Sequence, residues 1–222
     1  VSPWQRWQWH RCLKARLSSG LPGTNAELPE PGRNIQAAPL LAVDLETSGL
    51  CPQRDAILSV GWVAIDNARI QLSTAREYLV DGPAEVGQSA VIHGIRDCDR
   101  GRAEALETVL TELLEAASGR VFLAHHAGLD LGFLAAAMDQ VFARSMPMPA
   151  VDTLAWAQRR AERHGEVLPA GAFKLAALRQ RLALPPRQAH AALADALSCA
   201  EVALVMMAQS SARLGEVVRW WR

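Results

Sequence analysis

Residues 38–50 read APLLAVDLETSGL, an apolar run that closes on two carboxylates. Its hydrophobic pattern predicts a buried strand, and a buried strand that ends in paired acids needs a reason. Residues two apart on extended backbone project to the same side, so Asp44 and Glu46 point together while Leu45 points away. Two like charges sharing a partly buried space repel each other and lose hydration. Either one takes up a proton or a cation fills the gap, and carboxylate pairs with water and phosphate are a usual setting for magnesium or manganese. The alternative is local: Asp44 ends the strand and Glu46 enters a turn with Thr47, Ser48 and Gly49.

The surrounding chain says what kind of body this strand belongs to. Residues 1–36 divide into a segment rich in tryptophan and basic residues and a linker of turn residues, SSGLPGTNAELPEPGRN. A folded domain is expected over residues 37–210, with a C-terminal tail at 211–222. PLLAVDLE, AILSVGWVAI and AREYLV read as three successive strands, each short, apolar or β-branched, and bounded by turn formers. Residues 103–117 show helical periodicity through Leu106, Val109, Leu110, Leu113 and Leu114, and RVFLAH returns to strand. Helices follow near 131–142, 153–163, 173–182 and 191–208, with the short AVDTL segment among them. Antiparallel strands first and strand–helix alternation later imply an α/β fold, a mixed β-sheet flanked by α-helices.

Two further acids sit where they bear on the first pair. In FLAHHAGLDLGFL a strand runs into His125 and His126, and Asp130 opens the next helix, where an acid also favours the positive helix end. In RQAHAALADALSCA, His190 and Asp195 lie five apart, about 140° around a helix, so they cannot share one face of it. His190 therefore belongs to a loop or first turn. Asp195 lies on a helix whose Ala192, Leu193, Ala196, Leu197 and Ala200 seek a core, and a charge there needs a partner.

DLETSGL, HHAGLDLGFL and HAALADA, in this order and at this spacing, resemble the three motifs of the DEDDh group of 3′-to-5′ exonucleases. That group includes the proofreading epsilon subunit of bacterial DNA polymerase III. The likeness covers about residues 40–207, with VIHGI at 91–95 and VDTLAWA at 151–157 as further matches. It implies a ribonuclease H-like sheet, with Asp44, Glu46, Asp130 and Asp195 as metal-binding acids and His190 as general base. It implies two magnesium ions, for which manganese substitutes, and stepwise hydrolysis of terminal phosphodiesters to nucleoside 5′-monophosphates. It also places the Thr47 backbone near the terminal sugar and Leu50 against the bases. One departure stands out: many members carry His-Asn where this chain has His125-His126. Asp152 reads as a helix N-cap. His126 either contacts substrate or packs, a lone histidine near a strand end being commonly structural, and His93 is read the same way; neither is counted among the catalytic residues.

Substrate and partner are less constrained by the residues. Twenty-three basic side chains balance twenty-three acidic ones, so a polyanion must be met locally. That fits an enzyme gripping a few terminal nucleotides, with single-stranded DNA 3′ ends favoured. An exoribonuclease of the same family and a non-catalytic nucleic-acid-binding or polymerase-adaptor module are the alternatives. The first 17 residues carry Trp4, Trp7, Trp9, Arg6, Arg11, Lys14 and Arg16 and no acid. This composition suits a nucleic-acid, membrane-surface or protein partner, a DNA polymerase included, or else the tryptophans pack on the body beside Trp220 and Trp221. Cys12, Cys51, Cys98 and Cys199 are widely spaced and fit reduced thiols in a cytoplasm. No run has the length of a transmembrane helix, and no signal-peptide pattern opens the sequence, so a cytoplasmic location is expected.

Overall fold

A computed structural model describes residues 1–81, 103–187 and 190–221. The VIHGI match at 91–95, with His93, and Cys98 lie outside the described residues. The first expected strand is β1 (Leu40–Thr47). It is followed by β2 (Ile57–Asp66) and β3 (Arg69–Leu79), each antiparallel to its predecessor. The third strand starts earlier than AREYLV indicates, because a tight turn at Asn67 and Ala68, both with positive φ, reverses the chain at once. Turns of that handedness match the twist of a hairpin and extend its pairing. Residues 69–74 alternate polar and apolar through Ile70 and Leu72, a short strand signal that the AREYLV segment leaves out, and Arg69, Ile70 and Gln71 pair with Asp66, Ile65 and Ala64 directly after the turn.

After α2 (Leu106–Ala116), β4 (Val121–Ala124) joins β1 in parallel, and β5 (Met148–Asp152) joins β4 in parallel. Helix α3 (Ala127–Phe142) connects these two strands. It begins four residues earlier than the apolar pattern indicated, taking Asp130 into its first turn. Helices α4 (Thr153–Arg163), α5 (Leu175–Arg181) and α6 (Ala192–Ala208) follow. The chain closes with α7 (Leu214–Val217) and β6 (Val218–Trp221). The sheet order is β3-β2-β1-β4-β5-β6.

Alternation along β1 divides the core. Leu41 and Val43 face α2 and α3 with Phe122, Leu113 and Leu134, whereas Leu40 and Ala42 face the opposite layer with Trp156, Cys199 and Ala203. The same alternation continued by two and four residues puts Asp44 and Glu46 on the second side, the side covered by α6.

Within the expected C-terminal tail, Val218–Trp221 pair antiparallel with β5, and Ile35 and Leu214 donate backbone hydrogen bonds across to Ala212 and Arg33. Four residues are too few for periodicity to reveal a strand, and the pairing edge of β5 supplies what the segment lacks. The N-terminal residues form α1 (Pro3–Leu17), capped by Ser2 with a reciprocal Gln5 bond. Trp9, 3% exposed, meets Trp220 edge-on with ring centroids 5.3 Å apart. Arg16 is buried and donates to the Ala117 carbonyl. Trp4 and Trp7 are 65% and 55% exposed. Thus the helix divides its tryptophans between the body and solvent. Among the described residues no helix is long and apolar enough to cross a membrane.

Candidate active site

The parallel strands β1, β4 and β5 all point their C-terminal ends to one edge of the sheet, and α3 and α4, which follow β4 and β5, begin there. Carboxylates at strand ends and in first helical turns are thereby brought together from distant parts of the sequence. Asp44, Glu46 and Asp195 each place a carboxylate oxygen within 4.8 Å of the others. Asp130 is not one of those three, yet it is buried at the same edge and its charge acts on Asp44.

What allows α6 to come so close is Gly61. It pairs with Asp44 across the β1–β2 ladder, and a Cβ built on it would lie 2.2 Å from the Leu193 nitrogen. The first turn of α6 therefore rests directly on strand backbone, and Asp195 reaches the β1 acids from there. Glu77, beside Gly61 on β3, accepts a hydrogen bond from the Leu193 N–H at 3.1 Å and holds that turn in place. Neither residue was identified from the sequence. A glycine inside a strand is the usual mark of close backbone approach and was the available signal. For Glu77 the sequence offers no comparable sign.

Crowding raises the acids' proton affinity. Burial, with the charges of Asp130, Asp195 and Glu46, pushes the Asp44 carboxyl well above the usual carboxylate range. Burial, then Asp195 and Glu77, push Glu46 up to about 7. Burial pushes Asp130 up to about 7 against the opposing effect of hydrogen bonds from the backbone at Leu45 and Asp130 itself. Asp195 is raised by burial, with the His190 backbone N–H opposing. These groups have oxygen donors and surplus negative charge, which fits a hard divalent cation and gives a physical reason for one to bind.

His190 stands exposed just before α6, with φ of 70°. Its backbone N–H donates to Asp195 Oδ2 at 2.8 Å. The pair that cannot share a helical face is thus joined through the backbone, and the His190 imidazole is left open to solvent. The approach to His190 is anchored further back. Glu201 on α6 accepts from Arg179 at 2.5 Å and Arg187 at 2.6 Å, and Arg179 also donates to the Pro185 carbonyl.

The loop after β1 is equally constrained. Thr47 donates its hydroxyl to the Gly49 carbonyl at 2.6 Å, Asp55 accepts from the Cys51 N–H, and Ser48 and Ala56 bond reciprocally. Leu50 rides on this loop 78% exposed.

His126 occupies the left-handed region at φ 76° as the cap of α3. Asparagine tolerates that conformation better than most residues, which accounts physically for the Asn of the resembling motif. Here the backbone N–H of His126 donates to Asp152 Oδ1, and the same oxygen caps α4 at Leu154 and Ala155. His125 Nδ1 lies 2.9 Å from Thr153 Oγ1, and burial lowers its proton affinity.

Comparison with known proteins places this arrangement. The RNase_T model, described as an exonuclease, matches residues 41–203. The chain belongs to this exonuclease family and has its ribonuclease H-like α/β fold. The PolC-type DNA polymerase III of Thermotoga petrophila is 30% identical over 174 residues, covering 77% of this chain and 12% of that protein. The DNA polymerase III subunit epsilon of Treponema pallidum is 27% identical over 177 residues, 80% of each chain. This chain spans 12% of the PolC-type relative's length. Among solved structures, cell-death related nuclease 4 superposes with a TM-score of 0.67 at 16% identity, over 81% of this chain and 66% of that one. Exonuclease I of E. coli, in complex with a dT13 oligonucleotide, gives 0.63 at 16% identity, over 76% and 40%. At these identities the two structures share the fold with this chain.

Proposed function

We propose that this protein is a metal-dependent 3′-to-5′ exonuclease that acts on single-stranded DNA ends and releases nucleoside 5′-monophosphates. The observation that carries the reading is the meeting of Asp44, Glu46 and Asp195 at one strand end, with Asp130 buried beside them and His190 at the rim. Asp44, Glu46, Asp130 and Asp195 hold two divalent cations, magnesium with manganese as a substitute. When bound, these ions supply the positive charge that admits a phosphodiester among four acids and stabilises its extra negative charge during displacement. His190 takes the proton of the attacking water, and its exposure gives it a route to pass that proton to solvent. The water oxygen bonds to phosphorus as the bond to the 3′ oxygen breaks, and the shortened strand keeps that oxygen as its new hydroxyl. The pinned Thr47 backbone sits near the terminal sugar, and exposed Leu50 wedges against the last bases.

The preference for DNA draws support from the epsilon and PolC relatives and from the oligonucleotide bound by exonuclease I. Polymerase association and a cytoplasmic location follow the same relatives. Labelled DNA and RNA strands incubated with magnesium, and with excess chelator, test the reading. Stepwise shortening of DNA from the 3′ end is expected with magnesium alone. Full activity in chelator would refute metal dependence, and faster shortening of RNA would reassign the substrate.

A further inference from the structure

Helix α4 starts at the candidate site, where Asp152 caps it, and leads away along the β6 side of the molecule. Arg159 lies seven residues on, about 10 Å along the helix axis at 1.5 Å per residue. Together with Arg163, Arg213 and Arg219 it lines a cleft of about 730 Å³ with Trp156 at its inner wall. Among the described residues none of the four arginines makes a side-chain ion pair. Their bonds go to carbonyls instead: Arg163 to Arg159, Arg213 to Gly32 and Arg219 to Val218. Arg159 Nη2 is buried with no hydrogen-bond partner. Burial and the charge of Arg219 both disfavour the charged form of Arg159. Glu162 and Glu216 also line the cleft, and the Glu216 carboxylate is engaged by the Arg213 backbone N–H. Four guanidiniums against two carboxylates leave a local positive excess in a chain with no net charge.

The cleft does not stop at β6. Arg219 also lines a neighbouring cleft of about 540 Å³ that includes Trp4 of α1. The outer face of this helix carries exposed Trp4 and Trp7, with the Arg11 guanidinium 5.4 Å over the Trp7 ring. Unpaired guanidiniums next to exposed aromatic rings combine the two features that bind single strands, charge for phosphates and flat surfaces for bases. A protein partner would be expected to meet this much unpaired positive charge with acids, whereas a polyanion meets it by composition.

We propose that the Arg159–Arg163–Arg219 cleft and the exposed tryptophans of α1 form a second binding surface for single-stranded nucleic acid. The arginines take backbone phosphates, and Trp4 stacks a base. This surface goes beyond the exonuclease reading and does not rest on it. The test uses the full chain in excess chelator, with a fluorescent dT20 strand titrated over a range of salt concentrations. Arg159→Gln/Arg219→Gln is expected to weaken binding at least about tenfold and to reduce the slope of log affinity against log salt by about 1.4, the value for two phosphate contacts on a single strand. Trp4→Ala is expected to weaken binding about fivefold or more while keeping the slope. Arg219→Lys keeps the charge and is expected to keep the wild-type slope. Hydrolysis of the p-nitrophenyl ester of thymidine 5′-monophosphate, measured with magnesium, should be equal in all four proteins, because so small a substrate reaches the carboxylate site alone. Unchanged affinity and slope in the double variant would overturn the proposal and leave the cleft to a protein partner. A wild type that binds dT20 but fails to hydrolyse the ester would instead sink the exonuclease reading and leave this surface standing.

Discussion

Asp44 is the residue on which most of the site's charge converges, since Asp130, Asp195 and Glu46 all act on it. Asp44→Asn keeps shape and volume and removes one charge, so the fold should survive while activity falls by at least about 10²-fold, as when a key electrostatic contact to the transition state is lost. Circular dichroism and a 3′-end assay check the two halves of that statement. His190 contributes to the fold through its backbone, which donates to Asp195, and under the proposed function its ring is the general base. His190→Ala therefore leaves the backbone bond in place and is expected to lose about 10² to 10⁴ in turnover, as a general base does. The magnesium-induced rise in melting temperature should be the same as in wild type. Retained turnover across neutral pH would assign the base elsewhere.

At the scale of elements, the site depends on how closely α6 lies on the sheet. Gly61 sets that distance, for a methyl group there would stand 2.2 Å from Leu193 N and 2.3 Å from the Ala192 carbonyl carbon. Both contacts are with backbone, so no side-chain rotation relieves them. Gly61→Ala is expected to push the first turn of α6 outward and to cost about 1 to 3 kcal/mol, typical of overpacking. Asp195 and the His190 backbone move with that turn, so activity should fall further than stability alone explains. Comparing melting temperature with turnover well below the melting point separates the two effects. Wild-type turnover in a folded Gly61→Ala protein would show that the close approach does not position Asp195.

For the whole molecule, crowded carboxylates make folding and metal binding oppose or assist one another according to pH. Glu46 and Asp130 titrate near 7 in the folded protein, above ordinary values of about 4 in an unfolded chain. Between those limits the folded state holds more protons than the unfolded one, so raising the pH removes stability. The stability contributed by protonation is complete below about pH 4 and is lost as pH rises through about 7. Metal-free protein should accordingly melt at a higher temperature at pH 5 than at pH 7.5. Magnesium should restore more at pH 7.5, where the acids are ionised and ready to bind it. Calorimetric scans at both pH values, with and without magnesium, check the sign. The fall with pH should be smaller in Asp44→Asn, which has one repelling charge fewer.

The strand LLAVDLET was legible because apolar residues followed by two acids of one parity leave few ways to fold. The helices of the second half were legible because their apolar spacing is long enough to show a period. Asp44, Glu46, Asp130, His190 and Asp195 could be singled out because their motifs are local and ordered along the chain. What the sequence left open depends on partners distant along it. β6 is a strand because β5, some 70 residues earlier, offers it a free edge. Trp9 became core and Trp4 remained surface on the same helix, according to which side Trp220 occupied. Gly61 and Glu77 joined the site because α6 begins above them, some 115 to 130 residues later in the chain. Local pattern fixes the conformation and one face of each element. The proximity of elements far apart in sequence arises only when the apolar faces on both sides of the sheet are buried together, and that collective burial placed the four acids at one edge.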